Sequence, residues 1–244
     1  MAVLGDEPQF HARHRVLPHP ERPGGGAGRA GGHLSHGAPP AADPRRRGHG
    51  RAVLELLRDA GFPPPLGVLD DGPASPGLPG VPHLGPLSRM AALRAEGAAA
   101  AHVALGHNAT RRRLGEALLA LGYALPALRH PSAIVAGTAT LGAGSVAMPR
   151  SVAGAAARLG AHSILNTGAI LEHDAVIGPG CHIAPGAVLG GGVRLGAEVL
   201  VGILAGIRPG TAVGDGATIA LGAAVVGDVP AGATVSGVPA REKA

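Results

Sequence analysis

The sequence predicts a mainly β fold: a parallel β-helix of hexapeptide repeats, preceded by a small α/β Rossmann-like domain. Three observations carry this. Every sixth residue from Leu141 to Val225 is aliphatic, fifteen in succession (Leu141, Ala147, Ala153, Leu159, Leu165, Leu171, Ile177, Ile183, Leu189, Leu195, Val201, Ile207, Val213, Ile219, Val225). In a chain that is 45% hydrophobic, one register does this by chance at roughly 10⁻⁵, so the run is an internal repeat. Four places after most of these stands a small residue, as at Ser145, Ser151, Ala157, Ser163, Ala169, Ala175, Cys181 and Ala187. Finally, aromatic residues make up only 1% of the chain, with no Trp, so any core must be built from small aliphatic groups in thin, regular layers.

A period of six fits neither a helical stripe nor plain strand alternation. It fits short strands joined by tight turns, with one aliphatic side chain per strand pointing inward, as in hexapeptide parallel β-helices. Three hexads close one triangular turn of the coil. Residues 131–240 are therefore expected to form a prism of stacked rungs. In this frame Cys181 falls on an inward small position and is expected to be a core filler, not a nucleophile.

Residues 48–130 read as the α/β domain. Gly48-His49-Gly50 opens a helix with Val53, Leu54, Leu56 and Leu57, stopped by Gly61. "LGVLDD" (66–71) is a short apolar strand ending in Asp70 and Asp71, and "AHVALGHN" (101–108) is another, followed by a helix over 110–121. Strands alternating with helices imply a parallel sheet. Arg111–Arg113 are expected on a solvated face of that last helix. A glycine turn opening a helix points free backbone N–H groups at any nearby phosphate.

Residues 1–47 have few apolar side chains to offset the entropy of ordering, and are expected to be a disordered extension or one not native to the working protein. An intact-mass measurement on the natural protein decides between these two. Charge divides unevenly: residues 1–50 hold seven Arg against four acids, whereas the remainder carries a net charge of only +2. A nearly neutral body gives no case for a nucleic-acid partner. The lone Cys181 excludes an internal disulfide framework and fits a reducing compartment. No apolar run has the length of a signal peptide or a membrane span, so a cytoplasmic protein without membrane contact is expected.

Against this bland background, Asn166, Glu172, His173, Asp174 and His182 concentrate polar chemistry on consecutive strands. Outward polar groups on a flat prism face suggest a wet cleft between subunits. Proton transfer near neutral pH calls for a base of near-neutral pKa, and His is the natural candidate. A carboxylate on the other ring nitrogen would fix its tautomer, and either Asp174 or Glu172 could serve. His162, with no polar neighbourhood, is read as simply solvated.

The hexads, "HPSAIV" (130–135), "ILNTGAILEHDAVIG" (164–178), "CHIAPGA" (181–187) and "VSGVPA" (235–240) together resemble the PglD/NeuD/PerB group of sugar O- and N-acyltransferases. That resemblance implies a left-handed β-helix, a homotrimer with active sites between neighbouring prisms, and acetyl-CoA as cosubstrate with no metal. It implies N-acetylation of a nucleotide-linked amino sugar in surface glycan synthesis, with O-acetylation of a sialic-acid-type sugar as the alternative. His173 occupies the group's general-base position, with the acid after it favoured as its partner, and Asn166 and His182 match active-site positions. His182 could also contact the thioester or the pantetheine arm. Acetyl-CoA would lie near Gly191, Gly202, Ile203 and Gly222, with Arg208 toward phosphate. Gly48, His49, Gly50, Asp70 and Asp71 would hold the nucleotide sugar. The group's pattern starts with an apolar strand running into a fuller glycine turn; here "DPRRR" stands in its place, so the first strand of the sheet is expected to be missing.

Two other classes compete. A zinc hydrolyase of the γ-carbonic anhydrase type shares the prism but pairs two His four residues apart, whereas His162, His173 and His182 are spaced by 11 and 9. A non-catalytic scaffold is the other.

Overall fold

The computed structural model describes residues 2–5, 48–72 and 80–243. The expected extension beyond Gly5 and most of the loop after Asp71 lie outside these residues. The described residues fold as a four-stranded sheet with three α-helices, followed by a long triangular prism built mainly of two-residue strands.

The α/β domain runs β1 (Ala2–Gly5), α1 (Gly48–Asp59), β2 (Gly67–Leu69), β3 (His83–Gly85), α2 (Met90–Ala95), β4 (Ala100–Val103) and α3 (Asn108–Ala120). Sheet order is β3–β2–β1–β4. β2 and β4 are buried at every residue, so each needs a ladder partner between them. Ala2–Gly5 supplies it, in the position for which the sequence offered no strand just before Gly48. It runs antiparallel to both neighbours, with Gly5 opposite Ala100. An antiparallel ladder satisfies the same backbone groups as a parallel one, so four apolar residues can fill the slot in either direction. The consequence is that β1 does not run directly into α1, and no tight strand-to-helix turn joins them.

The prism has three faces. Its first face stacks Leu128–Arg129, Val146–Ala147, Ile164–Leu165, His182–Ile183, Leu200–Val201, Thr218–Ile219 and Thr234–Ser236 in parallel. The second runs from Ile134–Val135 to Ala224–Val225, and the third from Thr140–Leu141 to Ala212–Val213. Partners lie eighteen residues apart, as Ile164 pairs with His182 and His182 with Leu200. The expected repeat is therefore the observed one, and the strands at Leu128 and Ile134 begin the coil before its first counted hexad. From Ala147 onward all the counted aliphatic positions are buried, and so are the small positions that follow them, Cys181 included.

Each corner demands one residue with positive φ. From Gly144 to Gly222 this falls at every sixth position, and Gly fills it eight times. Non-glycine residues do so at Arg150, Ala156, His162, Asp174, Glu198 and Leu204, with φ of 56–59°. Such conformations cost of order 1–3 kcal/mol, and Asp and His tolerate them better than most residues.

The domain docks on the first face. Outward-pointing Leu128, Val146 and Ile164, fully exposed on a bare prism, are buried in one cluster with Val53, Leu54, Leu57 and Val68. Helix α3 closes the junction: Asn108 Nδ2 donates to the carbonyls of Glu198 and Val199 at 3.0 and 3.2 Å, and Arg112 pairs with Glu198 at 3.3 Å. Two sequence expectations are corrected here. Arg111 is 1% exposed, not solvated, because the prism covers its side of α3. His162 is 4% exposed, its ring wedged where α3 meets the prism, against Gly115 and Gly144.

A side chain at Gly115 would run into the His162 ring. Gly115→Ala should therefore destabilise the chain by about 1–3 kcal/mol through overpacking, even though helix propensity alone favours Ala by about 0.8–1.0 kcal/mol. Chemical denaturation of the two proteins checks the sign.

Candidate active site

The sequence-predicted polar residues separate into two groups on one chain. Asn166 follows the first-face strand Ile164–Leu165, at the corner between the first and second faces. Glu172, His173 and Asp174 follow Ile170–Leu171, at the next corner, between the second and third faces. The expected single cluster therefore needs two edges of the prism. The residues matched to acetyl-CoA divide likewise: Gly202, Ile203 and Gly222 share the corner of Asn166, whereas Gly191 and Arg208 share that of His173.

At the second edge, His173 Nδ1 and Asp174 Oδ2 are 2.9 Å apart, with side chains 66% and 68% exposed. This leaves His173 Nε2 free of the pair. Asp174 takes the positive-φ corner position, and its N–H donates to the Ala155 carbonyl at 2.9 Å, so the turn itself aims the carboxylate at the ring. On the next rung Gly191 lies beneath the imidazole: a Cβ there would come within 2.6 Å of His173 Nε2 and Cε1. No contact of Glu172 with the ring competes with that of Asp174 among the described hydrogen bonds. An imidazole held on one nitrogen by a carboxylate and open on the other can accept a proton.

At the first edge, Asn166 Oδ1 accepts from the Thr167 N–H at 2.8 Å, which turns the amide nitrogen toward His182 Nε2, 3.0 Å away. Nε2 is thus the acceptor, which leaves the ring proton to Nδ1, and the Gly106 backbone lies near the ring. Nε2 of His182 is therefore engaged within the chain. The Asn166 amide retains a second N–H. Burial, then the nearby Arg111 guanidinium, lower the His182 pKa to about 4. It is a neutral, fixed group.

The domain contributes His49, one residue into α1, whose buried Nε2 has no hydrogen-bond partner among the described residues. Its pKa is lowered to about 3 by burial, then by His102, His182 and Arg111. His102, on β4, is lowered to about 4 by burial and then Arg111. Asp70 and Asp71 lie just past β2; Asp70 Oδ1 accepts from Gly72 N–H at 3.0 Å and Asp71 Oδ1 from Leu87 N–H at 2.7 Å, so both carboxylates brace the loop. Gly48 and Gly50 lie in the first turn of α1. Burial pushes the Cys181 thiol up to about 12, which leaves it inert as a nucleophile. Among the described residues, no group of three His, Cys, Asp or Glu side chains could hold a metal ion.

Sequence reasoning missed Arg111. A run of three arginines on a helix reads as solvent-facing, and only the packing of α3 on the prism distinguishes the first from its neighbours.

Hexads closed into a parallel prism beneath an α/β domain define a hexapeptide-repeat acyltransferase. The PglD N-terminal domain family matches residues 46–118, and the bacterial transferase hexapeptide (six repeats) family matches residues 156–191. The chain is similar to a mutant of perosamine N-acetyltransferase from Caulobacter crescentus, solved with CoA and GDP-perosamine: 34% identity over 81% of this chain and 93% of that one, TM-score 0.78. It is similar also to the acetyltransferase domain of PglB from Neisseria gonorrhoeae, solved with acetyl coenzyme A: 39% identity over 80% and 95%, TM-score 0.76. WeeI from Acinetobacter baumannii, 22% identical with TM-score 0.55, shares the fold. No curated protein sequence matches the chain. The chain belongs to the PglD/NeuD/PerB-like family of sugar acyltransferases, whose prism is a left-handed β-helix.

Three buried histidines held neutral make the fold acid-sensitive. Their folded pKa values lie below the ordinary 6.5, so at falling pH the unfolded chain takes up protons that the folded chain refuses. Stability should be flat above pH 6.5 and fall by several kcal/mol between pH 6.5 and 4. Denaturant midpoints measured across that range check the slope.

Proposed function

We propose that the protein transfers the acetyl group of acetyl-CoA to the amino group of a nucleotide-linked amino sugar, with His173 as general base. The observation that carries this is the His173–Asp174 pair, exposed at a prism edge with Nε2 open. The two similar enzymes solved with CoA, with GDP-perosamine or with acetyl-CoA supply the substrate class.

In this reading His173 Nε2 takes the proton as the sugar amine attacks the thioester carbon. The new C–N bond forms, and negative charge collects on the carbonyl oxygen. When the C–S bond breaks, CoA leaves as a thiolate and takes up the proton from the imidazolium. Asp174 holds the ring tautomer and stabilises the imidazolium. The second N–H of Asn166, held in place by His182, is suited to the developing oxyanion or to a sugar hydroxyl.

Because Asn166 and His173 sit on different edges, we infer that a complete site joins the first edge of one copy to the second edge of another, as in a closed trimer. The second face, which lies between these edges, supports this: Ile134 is 65% exposed and Val188 40%. Such a column calls for apolar cover. His49, Asp70 and Asp71 would bind the nucleotide sugar near the junction, though β1 does not provide the usual strand-to-helix cradle. O-acetylation needs the same base, and the substrate decides between the two. Synthesis of a surface glycan, in the cytoplasm, is the setting this activity fits.

His173→Ala should lower kcat/KM by about 10²–10⁴-fold against a panel of GDP-, UDP- and dTDP-amino sugars, with CoA release as the readout. Unchanged turnover would remove the base assignment. Mixing His173→Ala with Asn166→Ala subunits should restore part of the activity, since some seams in a mixed assembly then carry both wild-type edges; a mixture no better than its parts would exclude a shared site.

A further inference from the structure

Arg111 is the most heavily engaged side chain described. Its Nε donates to the His162 carbonyl at 2.7 Å, and Nη1 to the carbonyls of Leu105 and Gly106, both at 3.0 Å. Nη2 donates to Asn108 Oδ1 at 2.9 Å and to the carbonyls of Gly180 and Cys181 at 2.8 and 3.0 Å. Among the described residues no carboxylate pairs directly with this buried cation; its charge is met by backbone dipoles from three segments. A buried guanidinium is costly unless every donor is satisfied. A junction needing only adhesion could use apolar groups, as α1 does against Val146 and Ile164.

The acceptors are not scattered. Gly106 lies near the His182 ring, and Gly180 and Cys181 immediately precede His182 in the chain. One planar fork thus holds both the backbone that carries His182 and the Gly106 backbone near its ring. His182 in turn orients Asn166.

We propose that Arg111 is a positioning residue, locking His182 as the Nδ1–H tautomer and through it the Asn166 amide, so that docking of the α/β domain sets the geometry of the prism edge. The positioning of Asn166 for catalysis rests on the acyltransferase reading; the lock on His182 does not. Lys is no substitute at this position, since an ammonium cannot span six acceptors with fork geometry.

The test uses the full chain with Arg111→Lys, Arg111→Met and, as a control, Arg112→Ala, which breaks ion pairs with Glu116 and Glu198 at the same junction. Nitrogen-15 NMR of the His182 ring should show a single neutral Nδ1–H tautomer from pH 8 to 5 in the wild type and in Arg112→Ala. In both Arg111 variants the tautomer signature should become mixed, and in Arg111→Met the titration should move up as the neighbouring cation is lost. If Arg111→Met fails to fold, Arg111→Lys carries the comparison. On a turned-over substrate, both Arg111 variants should lose about 10–100-fold in kcat while KM for acetyl-CoA changes little. A His182 signal identical to wild type in a folded Arg111 variant overturns the lock. Absence of turnover in the wild type would count against the acyltransferase reading alone, because the NMR arm needs no substrate.

Discussion

The prism exists because a corner can be turned once every six residues without losing a backbone hydrogen bond. Each two-residue strand pairs with partners eighteen residues before and after it, and each corner places one residue at positive φ. That constraint fixes the rest. It sends one aliphatic side chain per hexad inward, leaves a small residue beside it, and excludes bulky rings from a column too narrow for them. It also makes the outward positions available for chemistry, since they contribute nothing to the column.

Those outward positions are used in two ways. On the lower first face they are apolar and covered by the α/β domain, which is how a sheet of only four strands gains a firm seat. One rung further, at His182, the column turns polar just where the domain ends, with Arg111, Gly106 and His49 around it. A site at such a boundary is partly dry and partly open. The buried imidazoles stay neutral there, whereas the His173–Asp174 pair, out on an exposed edge, keeps access to solvent.

The legibility of the sequence followed periodicity. Period six was readable because every rung repeats the same physical demand, and the helices of the α/β domain because their apolar spacing faces one sheet. His173 and Asp174 stood out because the inward column of a hexad makes no use of an imidazole beside a carboxylate. What depends on contact between distant segments was not readable. Arg111 and Arg113 look alike on the helix until the prism is laid against one of them, and His162 looks solvated until Gly115 and Gly144 close over it. Ala2–Gly5 carries no signal of its own; the gap between β2 and β4 recruits it.

By itself, then, the sequence determined the coil, its inward column and the residue types available for acyl transfer, because these follow from local repetition and from chemistry intrinsic to each side chain. Only the tertiary structure decided that Asn166 and His173 stand on different edges, that Asn166 engages His182 Nε2, and that one arginine of three is the clamp. Those outcomes depend on which rung and which face a residue reaches after three corners have been turned, and on a second domain whose approach no stretch of the repeat encodes.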